Sequence, residues 1–524
     1  MVTIERIIPP TYDEDGHVSF HSVTSPPDDS TAVCYMIPTR VIPVIFVPGV
    51  MGSNLTTLDN KAVWLLDSAG KMARDWVGKD ASVRKMILDP NNTKVHDGGI
   101  IPTGTRHSEI ELRRRGWGTV SYMSYGESLV WLENALNDFD TCKTGVRSEL
   151  VSQLVAQAPG VETLTHDEVG LSYKYRFPVH AVGYNWLQGN EDSAKHLHAK
   201  IQEFVNHYIK LQFRCEKVIL VTHSMGGLVA RYYSEVLSQD PDFQAFGLRE
   251  KVLGIVHGVM PTIGAAAIYK RMKLGIEGTT GLVAGSNAEK VTAVLSSAPG
   301  PLQLLPSSEY GMGWLKIKDG NKTMSLPAKD PYSEIYTERQ EWWGLIDDQL
   351  INPLDPEKKT LENDWREFED IIWDQVAKFH TVMRGKYHPQ TYAFYGASDM
   401  YKAYGNIGWT HSSSSLFSDY RTGESAQASN LQKGSHILRP AAPPDRASRT
   451  AQFHLAKPEE AGDGTVSVRS GKAPASSKNV KACVPYLGVE HEPAYTPNTT
   501  RRFTLWAITK IAQNVKGTSL EYLG

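Results

Sequence analysis

The chain has 524 residues, of which 41% are hydrophobic and 22% are charged, close to the composition of ordinary globular proteins. This length exceeds the usual size of a single domain, so we expect one large core with sizeable insertions or two domains that share an interface. The 55 Lys and Arg residues nearly balance the 58 Asp and Glu residues, which gives a net charge of −3 and argues against a nucleic-acid partner.

The N-terminus lacks both the basic start and the apolar stretch of a secretory signal peptide. Nothing later in the chain approaches the roughly 20 consecutive apolar residues that a membrane-spanning helix needs. We therefore expect a protein that is cytoplasmic when synthesised, and any export would use a system that does not read a signal peptide.

Short apolar runs rich in β-branched residues predict buried parallel strands, the first at residues 41–47 (VIPVIFV). Runs of the same character follow at residues 180–184, 218–221, 252–257 and 391–396. Between them the periodicity is helical, and the clearest apolar stripe comprises Ala194, Leu197, Ile201, Phe204, Tyr208 and Leu211. Strands that alternate with amphipathic helices predict a mostly parallel central sheet covered by helices on both faces.

Long segments between these elements suggest the domain organisation. Residues 1–40 would form an N-terminal segment, and residues 41–262 the first part of the core, interrupted by an insertion at about 51–175 that contains a helix. We expect residues 263–390 to form a cap or lid insertion. Residues 391–524 would complete the core, with a polar insertion at about 402–455 that we expect to be a mobile surface excursion.

The sharpest local motif lies at residues 218–233 (VILVTHSMGGLVARYY), where a buried strand leads through Ser224 into an amphipathic helix. It predicts the nucleophile elbow of an α/β-hydrolase, a strained turn that needs small residues two positions before and after the serine. Gly226 meets the second requirement, whereas Thr222 replaces the first glycine. In an elbow, Ser224 is the nucleophile and the Met225 N–H is an oxyanion donor. An ordinary strand-to-helix turn also fits the short motif.

The loop after the first strand, residues 48–53 (PGVMGS), is a candidate for the second oxyanion donor. In α/β-hydrolases the loop beside the elbow contributes one backbone N–H, and we expect that of Val50 here. A Pro-Gly turn that merely ends a buried strand fits the same residues.

The acid and the base of an α/β-hydrolase follow the nucleophile in the order carboxylate, then histidine. Residues 462–466 (GDGTV) place Asp463 in a glycine-flanked loop, and residues 488–492 (GVEHE) place His491 before the final helix. Taken singly, a GDG turn is common, and a lone His is more often satisfied by its neighbours. Because all three residues occur in the required order at the ends of predicted strands, we predict that Ser224, Asp463 and His491 form a catalytic triad.

No sequence motif points to a bound cofactor. Neither GxGxxG nor GxxxxGK[ST] stands at a strand-to-helix junction, and the four Cys residues form no CxxC pair. We expect neither a cofactor nor a metal ion.

Together these motifs resemble the lecithin:cholesterol acyltransferase and lysosomal phospholipase A group of α/β-hydrolases and its bacterial lipase relatives. Residues 47–55 (VPGVMGSNL) resemble the family's oxyanion loop, and residues 222–227 (THSMGG) resemble its elbow. Residues 184–186 (YNW) resemble its Tyr-Asp-Trp segment, with Asn185 in place of Asp. The resemblance supports Asp463 as the triad acid and Val50 as an oxyanion donor.

The resemblance implies a serine esterase that hydrolyses the acyl esters of lipids, a phospholipase A or lipase that meets membrane phospholipid at an interface. A lipase without a signal peptide also resembles the antibacterial effectors of type VI secretion systems, which would imply a secretion or immunity partner protein. The alternatives are an acyltransferase or small-ester hydrolase of the same fold and, from another class, a non-catalytic α/β-hydrolase scaffold used as a binding module.

The predicted cap contains Trp314, Trp342, Trp343 and Trp365 among small residues. This mix suits a lid that meets a lipid surface. It suits equally an ordinary cap whose aromatic side chains fill its own core.

Overall fold

The computed structural model describes residues 4–22, 30–139, 145–277, 281, 283–319, 321–411, 425–426, 437–440 and 453–523. Its central sheet consists of the strands β1 (Val44–Val47), β2 (Val179–Ala181), β3 (Val218–His223), β4 (Val252–Gly258), β5 (Thr391–Gly396) and β6 (Val480–Tyr486). All neighbouring pairs are parallel, and the strand order is β6-β5-β4-β3-β1-β2. The predicted mostly parallel sheet is therefore confirmed.

The chain changes direction across the sheet between β1 and β3. It runs from β1 outward to β2, then returns past β1 to β3 and continues through β4, β5 and β6. In open α/β sheets, ligands bind at the carboxyl ends of the strands on either side of such a switch point. Here those ends lead into the loop at residues 48–53 and into Ser224, so the topology alone brings two predicted site segments together.

Helices cover both faces of the sheet, because successive side chains of each buried strand point to opposite faces. In β1, Ile45 and Val47 pack into one apolar cluster, whereas Val44 and Phe46 pack into the other. The first cluster includes α2 (Asn190–Lys210) and α3 (Gly226–Glu235), and the second includes α1 (Tyr122–Leu136) and α4 (Asn498–Ala512). The core thus consists of two apolar layers with the sheet between them.

A second six-stranded sheet lies outside the central one. Its strands are Lys322–Leu326, Leu315–Asp319, Ile407–His411, Phe453–Leu455, Ile437–Pro440 and Ser425–Ala426, in that spatial order. The other strands are Ile4–Ile7, Pro10–Tyr12, Val18–Phe20, Ser30–Val33, Leu55–Thr57, Ala62–Trp64, Thr93–Val95, Ser398–Ala403 and Glu460–Gly462.

The described residues also form the α-helices Ala69–Trp76, Ala81–Ile87, Glu109–Arg114, His166–Ser172, Pro241–Gln244, Leu248–Lys251, Ala267–Leu274, Ala288–Leu295, Pro299–Leu302, Leu361–Asp370, Lys378–Met383 and Val468–Gly471. A π-helical stretch, Ile371–Ala377, joins two of them into one longer helix. No helix in the described part of the chain combines the length and the apolar character needed to span a lipid bilayer.

The tryptophans of residues 263–390 face a core and not the solvent. Trp314, Trp342, Trp343 and Trp365 are each at most 7% exposed and belong to the apolar cluster that contains α2 and α3. Of the two interpretations of this aromatic content, the filled core is the one that the structure shows.

Polar contacts also tie residues 263–390 to the core. The side chain of Gln303 accepts the Asn190 N–H at 2.8 Å and donates to both carboxylate oxygens of Glu191, at the start of α2. Gln303 is almost fully buried, so these bonds are shielded from water. The segment is therefore anchored firmly at this point.

The predicted polar insertion at about 402–455 begins with a buried strand and not with an exposed loop. Ile407 and Trp409 are fully buried in the second sheet. Residues 412–424, 427–436 and 441–452 lie outside the described residues. The division of the chain into core, cap and insertions stays a prediction.

A buried cluster of charged side chains joins α1 to the helix Glu109–Arg114. Arg115 forms ion pairs with Glu111 and Glu133, and His107 bonds to the same two carboxylates at 2.7 and 2.9 Å. Burial alone would raise the pKa of each glutamate, but the Arg115 guanidinium and the hydrogen bond to His107 outweigh it and lower both pKa values to about 2.

This cluster predicts a specific acid sensitivity of the fold. Each glutamate has a lower pKa when folded than its ordinary value of 4.5, so its stabilising contribution is complete above about pH 4.5 and is lost as the pH falls toward 2. We expect Glu133→Gln to lower the free energy of unfolding at pH 7 by about 1.5–3 kcal/mol, because it removes one of the two carboxylates that bind the buried Arg115, which keeps its pair with Glu111. Denaturant titrations between pH 7 and 3 measure this loss.

A matched control is Glu109→Gln, which removes the exposed partner of Arg113 from the same helix. Exposed pairs contribute about 0–1 kcal/mol, so this change should be nearly neutral. Equal effects of the two substitutions would show that the buried cluster contributes no special stability.

Candidate active site

Ser224 occupies a strained turn between β3 and α3. Its φ angle is 51°, in the left-handed region that a non-glycine residue seldom adopts, and its N–H donates to the Gly258 carbonyl at 2.9 Å. A Cβ at Gly226 would lie 2.4 Å from the carbonyl oxygens of Val47 and Pro48, so only glycine fits there. The turn thus has the backbone strain and the close approach expected of a nucleophile elbow.

Thr222, which departs from the usual glycine of the elbow, is accommodated by the neighbouring strand. It is fully buried, and its hydroxyl lies 2.8 Å from Nδ1 of His257 on β4. The elbow normally needs a small residue at this position, and here the β-branched side chain has both the room it needs and a hydrogen-bond partner.

The three residues predicted to form a triad lie in one hydrogen-bonded row. Nε2 of His491 is 2.9 Å from Oγ of Ser224, and Nδ1 of His491 is 2.8 Å from Oδ2 of Asp463. Asp463 is 1% exposed and Ser224 is 3% exposed. These distances allow proton transfer between serine and histidine and orientation of the imidazole by the carboxylate.

The loops that carry Asp463 and His491 are tied to each other. Oδ1 of Asp463 accepts the N–H groups of Thr465 and Val466 at 2.9 and 2.7 Å, and its carbonyl accepts the His491 N–H at 2.9 Å. Oδ1 is thereby occupied by the loop, which leaves Oδ2 for the imidazole. The carboxylate has one orientation in which all of these bonds are made.

The predicted oxyanion donors lie beside Ser224. In the described part of the chain, the backbone N–H groups of Val50 and Met225 make no protein hydrogen bond, in contrast to that of Ser224. A Cβ at Gly49 would lie 3.0 Å from the Cβ of Ser224, so the loop passes directly over the elbow. Two donors that remain available next to a nucleophile are what an oxyanion hole requires.

Hydrogen bonds to two buried tyrosines hold the loop at residues 48–53 in place. Tyr184, in the YNW segment, donates its hydroxyl to the Pro48 carbonyl at 2.8 Å, and the Gly49 N–H donates to the Tyr125 hydroxyl at 3.1 Å. Asn185, at the position where a family Asp was expected, donates its amide to the carbonyls of Pro90 and Thr93. A carboxylate could not make these bonds, which explains the departure at this position.

His223 and Tyr125 are neighbours of the triad that the sequence reasoning missed. Nδ1 of His223 lies 3.0 Å from the Tyr125 hydroxyl, and its Nε2 lies 2.8 Å from the His491 carbonyl oxygen. Burial, and then the nearby His491, lower the pKa of His223 to about 3, so the ring is neutral near pH 7. The position of His223 within THSMGG could have suggested a role, whereas nothing in the sequence marks Tyr125.

Within the described residues there is no cluster of three or more His, Cys, Asp or Glu side chains suited to a metal ion. The groups that the structure brings together at the site are a serine, a histidine, a carboxylate and backbone N–H groups.

Comparisons with known proteins place this geometry in context. The family model described as lecithin:cholesterol acyltransferase matches residues 162–371. A chain in the crystal structure of the Tle4-Tli4 complex superposes with a TM-score of 0.73; it is 30% identical, and the match covers 90% of this chain and 98% of that chain. No curated protein matches the sequence.

A second solved structure, that of lipase 1 from Pelosinus fermentans, is 13% identical over 70% of this chain and 95% of that chain. Its TM-score is 0.27, a superposition too poor to bear on fold or function.

Proposed function

The chain is a lipid-ester hydrolase of the lecithin:cholesterol acyltransferase-like family of α/β-hydrolases, and from this premise we propose that it cleaves membrane phospholipid through an acyl-enzyme on Ser224. The observation that carries the proposal is the unbroken row of hydrogen bonds from Ser224 through His491 to Asp463. The test is the release of free fatty acid from phospholipid vesicles, with the products identified by mass spectrometry.

Each step of the reaction uses a contact described above. As Oγ of Ser224 attacks the acyl carbon, Nε2 of His491 takes its proton, and Asp463 stabilises the imidazolium. The N–H groups of Val50 and Met225 donate to the oxyanion of the tetrahedral intermediate.

The intermediate then collapses, the bond between the acyl carbon and the leaving alcohol breaks, and the imidazolium returns its proton to that alcohol. Water attacks the acyl-enzyme with the same histidine as base, which releases the fatty acid and restores Ser224.

Exposed apolar side chains beside the triad loops support a lipid surface as the location of the substrate. Met400 is 83% exposed and Leu487 is 80% exposed. Met400 neighbours Tyr401, whose carbonyl accepts the N–H of Gly464 at 2.8 Å, directly after Asp463. Leu487 follows β6 and begins the loop that leads to the triad histidine.

The start of α1 adds two further apolar side chains to this region. Tyr122 is 39% exposed and Met123 is 52% exposed. The next residue, Ser124, donates its hydroxyl to the Glu492 carboxylate at 3.1 Å, beside the triad histidine. These side chains therefore lie near the loop of the triad histidine, and they suit insertion among lipid headgroups.

Acidic substitutions at these positions should separate interfacial binding from chemistry. We expect the double variant Met400→Glu, Leu487→Glu to hydrolyse vesicle phospholipid about 10-fold or more slowly, because each lost apolar contact with lipid costs about 1.5–3 kcal/mol. Its kcat/KM for a soluble short-chain ester should change by no more than about twofold, as for most surface substitutions. Parallel assays on both substrates measure the difference.

A matched control is Met36→Glu. Met36 is 90% exposed, and the Thr39 carbonyl three residues later accepts the N–H of Arg214 ahead of β3, at the opposite edge of the sheet from the triad. An equal loss of vesicle hydrolysis in the control and the double variant would show that added negative charge, and not the location of the side chains, causes the effect.

Assays with and without an acceptor alcohol distinguish hydrolysis from acyl transfer. A hydrolase releases the same amount of free fatty acid in both conditions, whereas an acyltransferase passes the acyl group from Ser224 to the alcohol, so that a new ester forms and less free fatty acid is released. A non-catalytic scaffold would release no acyl group in either condition, and the aligned triad speaks against it.

The relative at 30% identity was solved in a complex of Tle4 with Tli4, which supports a protein partner for this chain as well. We propose that the chain is an antibacterial effector, exported by a type VI secretion system and neutralised by an immunity protein. The proposal predicts that the chain, directed to the periplasm of a susceptible bacterium, stops its growth, and that Ser224→Ala does not.

A further inference from the structure

A directional row of hydrogen bonds connects the loop at residues 48–53 to the loop that carries the triad histidine. The His491 carbonyl can only accept, so Nε2 of His223 must carry the proton in their 2.8 Å bond. In a neutral ring Nδ1 is then an acceptor, and the Tyr125 hydroxyl donates to it at 3.0 Å. The hydroxyl oxygen in turn accepts the Gly49 N–H at 3.1 Å.

The protonation of Tyr125 and the close packing of the loop favour this one direction of the hydrogen bonds. Tyr125 is 4% exposed, and burial raises the pKa of its hydroxyl, so the hydroxyl stays protonated and can donate. A Cβ at Gly49 would lie 2.9 Å from Nδ1 of His223, and a Cβ at Gly52 would lie 2.7 Å from the Tyr125 hydroxyl oxygen. The two glycines allow the loop to rest directly on both side chains.

The elbow itself is held by separate contacts. The Ser224 N–H donates to the Gly258 carbonyl, and the Tyr495 hydroxyl donates to the Thr222 carbonyl at 2.7 Å. The row from Gly49 to His491 passes through His223, the residue before Ser224. It joins the two loops on either side of it.

We propose that Tyr125 and His223 are positioning residues, which hold the oxyanion loop and the loop of the triad base in register with each other. The inference rests on the proposed function, because it assigns Val50 and His491 the roles described there. The His491 carbonyl fixes the tautomer of His223, and the Tyr125 hydroxyl donates to the remaining acceptor, Nδ1, while its oxygen holds the Gly49 N–H. A helix in the insertion at residues 51–175 thereby takes part in the catalytic architecture.

The consequence concerns the transition state and not the binding of substrate. The Val50 N–H must meet the oxyanion while Nε2 of His491 receives the serine proton, so both loops must be placed accurately at the same moment. A displacement of about 1 Å can cost about 100-fold in rate. Binding of the substrate before reaction does not require both loops to be placed so accurately, so KM should change little when a hydrogen bond of the row is removed.

The test is Tyr125→Phe, which removes one oxygen and keeps the ring. We expect kcat for a soluble ester to fall roughly 10- to 100-fold with KM unchanged within about twofold, and the rate of labelling by a fluorophosphonate to fall by a similar factor. Tyr175→Phe is the matched control, because it removes a buried hydroxyl that donates to the distant Leu520 carbonyl. It should cost a similar amount of thermal stability and leave kcat at the parental value.

A second variant, His223→Gln, keeps an amide N–H that can reach the His491 carbonyl. If the two side chains act as one row, the combination of Tyr125→Phe and His223→Gln lowers kcat no further than the more damaging single change. Parental kcat in Tyr125→Phe overturns the proposal, as does a double variant whose loss equals the product of the single losses.

Failure of the proposed function gives a different result. In that case the parent protein itself is not labelled by the fluorophosphonate and hydrolyses no ester. A labelled, active parent with unaffected Tyr125 and His223 variants refutes the positioning role alone.

Discussion

Replacing Ser224 with alanine should lower kcat by about 10⁴- to 10⁶-fold, the largest effect that we expect from any single substitution. Without Oγ there is no acyl-enzyme, and the donors of the oxyanion hole are left to assist only the direct attack of water. The variant should fold normally, because the lost hydroxyl contacts His491 and the hydrogen bond from the backbone N–H of residue 224 to the Gly258 carbonyl remains. Steady-state hydrolysis of a short-chain ester measures the loss.

Covalent labelling by a fluorophosphonate tests the same residue without turnover. The parent should be labelled once, and Ser224→Ala should not be labelled. Ser238→Ala is the control, since Ser238 is a partly buried serine whose hydroxyl donates to the Ser234 carbonyl near the end of α3. Persistent labelling of Ser224→Ala would place the nucleophile elsewhere and remove the proposed mechanism.

Asp463→Asn should lower kcat by about 10⁴-fold, although it changes only one atom type. Oδ1 of Asp463 accepts two loop N–H groups, so an asparagine would turn its carbonyl oxygen toward Thr465 and Val466. Its NH₂ group would then face Nδ1 of His491 and force the imidazole proton onto Nε2. That tautomer cannot accept the proton of Ser224.

The measurement is again kcat for a soluble ester, with Asp192→Asn as the control. Asp192 is an exposed residue of the first turn of α2 that pairs with Lys195, and it lies outside the triad loops. We expect the control to keep parental activity. A modest loss in Asp463→Asn, about tenfold or less, would mean that another group orients the imidazole.

The sequence predicted the elements whose signals are local. The predicted strand at residues 391–396 has the same bounds as β5. A strand that is buried on both faces can be recognised from its own apolar side chains. The first run was predicted three residues too long, because Pro43 has no N–H for the ladder and β1 begins only at Val44. Boundaries depend on partners that the run itself does not contain.

The burial of the cap tryptophans could not be predicted, because aromatic side chains suit a lipid-facing lid and a packed core equally well. Trp314 and Trp409 come from distant parts of the chain, yet both are fully buried in one cluster. Which surface covers an aromatic ring is decided by the packing of whole segments against each other. Periodicity within one segment carries no information about it.

The sequence by itself determined the parallel α/β architecture and the prediction of Ser224, Asp463 and His491. Ser224 follows a buried apolar run, and Asp463 and His491 stand in short glycine-containing motifs in the chain order of an α/β-hydrolase. Only the tertiary structure decided that Tyr125 and His223 link the oxyanion loop to the base. The three hydrogen bonds of that row join residues that are separated by 76, 98 and 268 positions in the chain. A single contact between such distant residues produces no motif that the sequence could show. Such contacts exist only after the sheet has brought its strand ends together.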